Sequence, residues 1–76
     1  PGNGIAAMMV TVPQRQGVTV EVINVSGQIL SSRYEQLSEG FNKLTLPVDR
    51  LRMGSYLIRL RDAGGNLLHT QPYTRQ

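Results

Sequence analysis

Turn signals recur at regular intervals along this chain and divide it into short runs. The signals are Pro13–Gly17, Ser26–Gly27, Ser38–Gly40, Arg52–Gly54 and Ala63–Asn66. Evenly spaced short runs with glycine-containing turns are typical of antiparallel sandwiches and barrels. No window has the i, i+3, i+4, i+7 apolar spacing that an amphipathic helix of three turns requires. The spacing therefore predicts an all-β fold.

Apolar and polar side chains alternate within most of these runs, as they do in strands with one buried face. The stretch Ile5–Val12 is different, because it begins with an unbroken run of six apolar residues, Ile5–Val10. That pattern predicts burial on both faces, or shielding by a neighbouring domain. The alternating runs predict one shared core, formed by Val20, Val22, Leu44, Leu46, Tyr56, Ile58 and Leu60.

The turn residues predict how the strands are connected. Gly27, Gly40 and the pair Gly64 and Gly65 are turn glycines, and Gly27 with Gly64 or Gly65 supplies the positive φ that hairpin turns require. Pro72 has no N–H to give to a ladder, so the last strand is expected at a sheet edge. Two hairpins are predicted, one of Val18–Asn24 with Gln28–Tyr34 and one of Ser55–Arg61 with Leu67–Tyr73.

Two short segments are predicted to lack strand structure. Asp49–Met53 can form a single helical turn, with Leu51 and Met53 covering the open end of the core. Pro1–Gly4 is interpreted as a turn.

Length and composition limit what such a chain can be. Its 76 residues make one domain, with a marginal core and no cysteine to reinforce it. No apolar run approaches the roughly 20 residues of a membrane span, so direct membrane insertion is not expected. A first residue of Pro1 rather than Met indicates a piece cut from a longer chain.

Catalysis and metal binding both need clustered titratable groups, and the sequence has none. His69 is the only histidine, and it is interpreted as a solvent-facing strand residue. The five acidic residues are interpreted as solvated charges. The net charge of +3 is spread over the chain, so nucleic acid is not expected as a partner. The sequence therefore predicts a protein that is not an enzyme and has no cofactor or metal.

The order of the motifs carries a family resemblance. Val18–Leu30 leads into Leu37–Asn42, and the chain continues with Leu51–Leu60, Asp62–Leu68 and Tyr73–Gln76. This order resembles the type A C-terminal sorting domain of the type IX (Por) secretion system of Bacteroidota. In that family a Leu-x-x-Gly-x-Tyr segment precedes a Gly-Asn hairpin and a basic ending.

Individual positions match the pattern or depart from it. Gly54 and Tyr56 match the glycine and aromatic residue of the Leu-x-x-Gly-x-Tyr segment, and Gly27 matches a turn glycine. Asn24 stands where the family usually has Asp, and Gln28 stands where it has Lys or Arg. Gly40 and Asn42 match the middle turn, and the ending Tyr73–Gln76 has one basic residue where the family often has two.

The resemblance implies an immunoglobulin-like antiparallel β-sandwich of about seven short strands. It implies that residues 1–76 form one C-terminal sorting domain, covalently linked to an N-terminal cargo domain. The implied partners are the translocon and shuttle proteins of the secretion system and a sortase that removes the domain. The implied route passes through the periplasm to the cell surface or the medium.

The resemblance also places the recognition residues. They are Tyr73, Thr74, Arg75 and Gln76, together with Gly54, and deleting Tyr73–Gln76 is expected to block secretion while the sandwich stays folded. The alternative is an immunoglobulin-like or fibronectin-like accessory module of an extracellular enzyme, which binds glycan or acts as a spacer. Such a module would be indifferent to loss of its last residues.

Overall fold

Six antiparallel strands make up most of the computed structural model, which describes residues 4–76. The predicted all-β fold is confirmed, but residues 4–76 form six strands rather than about seven. The turn suggested at Pro1–Gly4 falls mainly on residues 1–3, outside the described part. The strands are β1 (Ile5–Val12), β2 (Gln16–Asn24), β3 (Ile29–Leu37), β4 (Gly40–Pro47), β5 (Gly54–Asp62) and β6 (Leu67–Arg75).

The strands form two sheets. β1 and β4 make the small sheet, and the large sheet has the order β3-β2-β5-β6. Both predicted hairpins are confirmed, since β2 pairs with β3 and β5 pairs with β6. β6 lies at an edge, as Pro72 predicted. From Gly4 to Gln76 the structure contains no helix that could span a lipid bilayer.

The core lies between the two sheets. All seven residues predicted to share it are buried, and Ile58 and Leu60 have no exposed surface. The small sheet contributes Ala6, Met8 and Val12 from β1, together with Leu44 and Leu46 from β4, to one buried cluster. Ala6 is the cross-strand neighbour of Leu46, and Met8 is that of Leu44. The period-2 alternation of β2, β4 and β5 is therefore what places one face of each strand in the core.

β1 corrects one expectation. Its burial alternates, so Ala6 and Met8 are buried while Ile5 and Met9 are each 56% exposed. Burial on both faces was therefore wrong within this chain, because no third layer covers the outer side of the small sheet among the described residues. Shielding by a neighbouring domain stays a prediction.

The two hairpins of the large sheet use the same turn. In each, one side-chain oxygen accepts two backbone N–H groups: Asn24 Oδ1 from Ser26 and Gln28, and Asp62 Oδ1 from Gly64 and Asn66. A shift in strand register follows each turn. The segments Asn24–Leu30 and Asp62–Leu68 are thus two copies of one turn, a repeat that is too short to notice in the sequence.

Three of the turn glycines adopt the positive φ that was predicted for turns of this kind. Gly27, Gly40 and Gly65 have φ values of 84°, 95° and 85°. Gly64 has no positive φ, so in the β5–β6 turn the left-handed position belongs to Gly65.

Side chains of the large sheet reach both outer edges of the small sheet. Arg33 of β3 donates from Nη2 to the carbonyl oxygen of Thr45 in β4, at 2.7 Å. Gln71 of β6 donates from Nε2 to the carbonyl oxygen of Ala7 in β1, at 3.2 Å. Each bond occupies a backbone acceptor on an edge that no further strand covers between residues 4 and 76.

Candidate recognition site

The predicted recognition residues meet at one end of the large sheet. β6 runs antiparallel to β5, so Arg75 lies opposite Gly54, Thr74 opposite Ser55 and Tyr73 opposite Tyr56. Gln76 follows directly after the strand. We call this region the Gly54 end: the β2–β3 turn (24–28), residues 48–55 and residues 73–76.

The corner between β4 and β5 explains the Leu-x-x-Gly-x-Tyr motif. Leu51 packs against the core, and Leu51 N–H donates to Val48 O at 3.1 Å in a single turn. The Tyr56 ring is buried, and its hydroxyl donates to Arg52 O at 2.5 Å. A tyrosine hydroxyl bound to backbone a few residues upstream is the tyrosine corner of immunoglobulin-like sandwiches. The residues of the motif therefore stabilise the corner between β4 and β5.

Gly54 belongs to that motif. Its φ is 146°, which residues with a side chain rarely adopt, although a Cβ there would meet no atom within 4 Å. The glycine is required by the backbone and not by crowding. The helical turn expected at Asp49–Met53 is corrected to this corner: Leu51 covers the core as expected, but Met53 is 81% exposed and does not.

Tyr73 is held more firmly than a loose tail would be. It is half-buried, packs against the core cluster and lies directly opposite Tyr56 in the pairing of β5 with β6. Deleting Tyr73–Gln76 would therefore remove core contacts as well as the recognition residues. A test of recognition has to keep Tyr73.

The Gly54 end is positively charged. Arg50 and Arg52 are exposed on the corner and Arg75 is half-buried at the end of β6, while Asp49 is the only acid in these segments. Across residues 4–76, none of these three guanidinium groups takes part in a hydrogen bond or ion pair. Free guanidinium groups can donate paired hydrogen bonds to carboxylates or carbonyl oxygens of a partner.

The two edges of the large sheet differ in how they are guarded. β3 points Arg33 and Glu35 toward the small sheet, and these residues form an ion pair at 2.8 Å. Inward-pointing charges of this kind discourage another chain from adding a strand. Apart from His69, β6 has no acidic or basic residue from Leu67 to Thr74. Pro72 is the one residue of β6 without an N–H to give to an added strand, so β6 is the less guarded of the two edges.

The remaining candidates from the sequence lie apart from this end or from one another. His69 lies opposite Leu60 on the core-facing side of β6 and is half-buried, so the expected solvent-facing position was wrong. The register shift near Leu68 explains this, because one extra residue reverses the side that each later side chain faces. Within residues 4–76 no three His, Asp or Glu side chains lie close enough to hold a metal ion.

The tyrosines do not form a glycan-binding platform. Tyr34 is 67% exposed on the outer face of β3, whereas Tyr56 and Tyr73 face the core. The Tyr34 ring instead lies over Gly17, where an added Cβ would collide with it.

Comparison with known proteins agrees with this geometry. The family described as the secretion system C-terminal sorting domain matches residues 1–70 of the chain. A search of curated proteins finds no match. The matched residues include the tyrosine corner, the turns that begin at Asn24 and Asp62, and the first four residues of β6, and the match ends before Tyr73–Gln76. The chain belongs to the family of type IX secretion C-terminal sorting domains.

Proposed function

We propose that this domain directs an N-terminal cargo to the type IX translocon by docking the end of β6, with Tyr73–Gln76 and Gly54 as the recognition residues. Family membership makes the chain a sorting signal that implies export to the cell surface or the medium. It does not favour the accessory-module alternative, although the same fold fits one.

The pairing of Arg75 with Gly54 is the observation that carries the proposal. It holds the residues up to Arg75 in an extended strand on an edge of the large sheet, opposite Gly54, which lies two residues after the exposed Arg52. A receptor groove can add a strand to such an edge and accept hydrogen bonds from the guanidinium of Arg75. We propose that the contact is made in the periplasm and that a sortase removes the domain after export.

The test is a secretion assay with a periplasmic reporter fused to residues 1–76, in a bacterium that has this system. We expect Arg75→Glu to lower the secreted fraction roughly tenfold, because a charge-assisted contact is replaced by repulsion. Arg15→Glu is the matched control. Arg15 is exposed, has no polar partner among the described residues and precedes β2, at the opposite end of the large sheet.

The two variants carry the same change of charge, so they separate docking from net charge. Their circular dichroism and thermal midpoints should match the parent. If Arg75→Glu is secreted as well as Arg15→Glu, the end of β6 is not the recognition element. Cleavage is read from the same samples, since a secreted reporter that still carries the domain contradicts removal by a sortase.

A further inference from the structure

An apolar row crosses the outer face of the large sheet, on the side away from the core. Ile29, Ile23, Leu57 and Pro72 occupy neighbouring positions on β3, β2, β5 and β6. Ile23 is only 4% exposed, although it lies outside the core cluster. The row therefore buries apolar surface on a face that has no second layer in the described chain.

A cavity of about 440 Å³ opens over this row. Ile23, Leu57 and Pro72 line it, Val25 stands at its side, and Arg59 forms part of its wall. Leu57 and Val25 are 42% and 84% exposed, so apolar surface is open to solvent in a lining that also includes Asn24 and Ser55. A volume in the range of roughly 300–1,000 Å³ accommodates a ligand group rather than isolated water.

The charge beside the cavity is incompletely balanced. Arg59 Nε and Arg61 Nε both donate to one oxygen of Glu21, at 3.2 and 3.1 Å. The single carboxylate of Glu21 thus accepts hydrogen bonds from two guanidinium groups, so these three side chains together keep one positive charge. Arg61 also donates from Nη1 to Gly65 O. The Nη atoms of Arg59 make no hydrogen bond with any residue that the structure describes.

An apolar cavity with free donors in its wall matches an aliphatic and an acidic residue two positions apart in an extended peptide, because alternate residues of a strand share one face. We propose that the cavity binds such a segment of a partner protein, with an aliphatic side chain over Ile23 and Leu57 and a carboxylate against Arg59. This surface opens on the outer face of the large sheet and uses none of Tyr73–Gln76, although its lining borders the Gly54 end at Asn24, Val25, Gly27 and Ser55.

The probes are two blocked tripeptides, acetyl-Leu-Ser-Glu-amide and its neutral counterpart acetyl-Leu-Ser-Gln-amide, in which the first and third side chains share one face of the extended chain. Each is titrated into the isotope-labelled 76-residue chain and followed by NMR. We expect both to shift the backbone signals of Ile23 and Leu57. The acidic peptide should bind about threefold to fivefold tighter, the size of an exposed ion pair.

Arg59→Gln and Arg61→Gln form a matched pair. Each removes one donor to Glu21 and leaves the other, but only Arg59 lines the cavity. Arg59→Gln should abolish the preference for the acidic peptide, and Arg61→Gln should keep it. Arg75→Gln should keep it too, which separates this surface from the proposed translocon contact.

Three outcomes would overturn the proposal. They are no shift at Ile23 and Leu57 with either peptide, an equal loss of preference in the Arg59 and Arg61 variants, and concentration-dependent shifts of the same signals without peptide. The last outcome would assign the face to self-association of the chain.

Discussion

Asn24 and Asp62 do the same structural work with different side chains. Each accepts two backbone N–H groups within its turn, and each faces a positive-φ glycine three residues later. The departure of Asn24 from the family's usual Asp therefore has a simple explanation, because an amide oxygen accepts the same bonds as a carboxylate oxygen. The two residues differ in their response to pH.

Hydrogen bonds from the backbone and side chain of Asn66, helped by those from Gly64 and Gly65, hold the pKa of Asp62 below its ordinary value of 3.8. The ionised carboxylate is thus favoured in the folded state. Its contribution to stability is complete above pH 3.8 and is lost as the pH falls through the lower pKa of the folded state.

We therefore predict that Asp62→Asn makes the domain less sensitive to acid. Between about pH 5 and about pH 2.5, the urea midpoint of the variant should fall less than that of the parent. Asn24 shows that an amide can hold this turn, so folding should survive the change. Glu39→Gln, an exposed acid in another turn, is the control for net charge. Equal acid sensitivity of Asp62→Asn and the parent would mean that the turn carboxylate is not responsible.

β5 is the element on which most of the structure depends. It pairs with β2 on one side and β6 on the other, and its alternate residues Tyr56, Ile58 and Leu60 enter the core. Its other face contributes Leu57 and Arg59 to the outer cavity. One strand thus connects the core, the tyrosine corner and both proposed binding surfaces.

We predict that Ile58→Ala lowers the free energy of unfolding by about 2–5 kcal/mol, as truncation of a buried isoleucine does. Ile58 has no exposed surface. Leu57→Ala, one position along and 42% exposed, should cost about 1 kcal/mol or less. Urea denaturation of both variants measures the difference. Equal urea midpoints for the two variants would show that the outer face of β5 contributes as much to stability as its buried face.

The sequence was sufficient to predict the buried face of strands in which apolar and polar residues alternate strictly. It was insufficient where the register of strand pairing determines which side chains are buried. The alternation of valines in β2 and of leucines in β4 predicted their buried faces correctly. The continuous apolar run of β1 did not, because pairing with β4 and not hydropathy turns Ile5 and Met9 outward.

The candidate site was likewise predicted only in part from the sequence. The resemblance named Gly54 and Tyr73–Gln76 from separate parts of the chain, but no residue pattern showed that Gly54 lies opposite Arg75. That pairing depends on the register of β5 and β6, which shifts by a residue after the Asp62 turn. The extra residue is Leu68, and nothing in its side chain marks a bulge.

At the scale of the whole molecule, a sheet of two strands covers a sheet of four. The outer edges of β1 and β4 consequently have no further strand beside them in the described chain. Gln71 closes one side of the sandwich through Ala7 O, and Arg33 closes the other through Thr45 O. These two bonds, together with the core, hold the layers in their relative position.

We predict that Arg33→Ala and Gln71→Ala each lower the free energy of unfolding by about 0.5–1.5 kcal/mol, the usual worth of one hydrogen bond. The ion pair that Arg33 forms with Glu35 adds little, because both side chains are substantially exposed. The two bonds share no residue and lie on opposite sides of the sandwich, so the double variant should show the sum of the single effects within about 0.5 kcal/mol.

Urea denaturation of the parent, both single variants and the double variant gives the four values that the comparison needs. Arg15→Ala, with an exposed side chain that contacts no polar partner among the described residues, is the control for removing a surface arginine and should change nothing measurable. A double variant that loses far more than the sum would show that the two sides of the sandwich open together. In that case each bond protects the layer as a whole, and the two-stranded sheet detaches as a unit once both are gone.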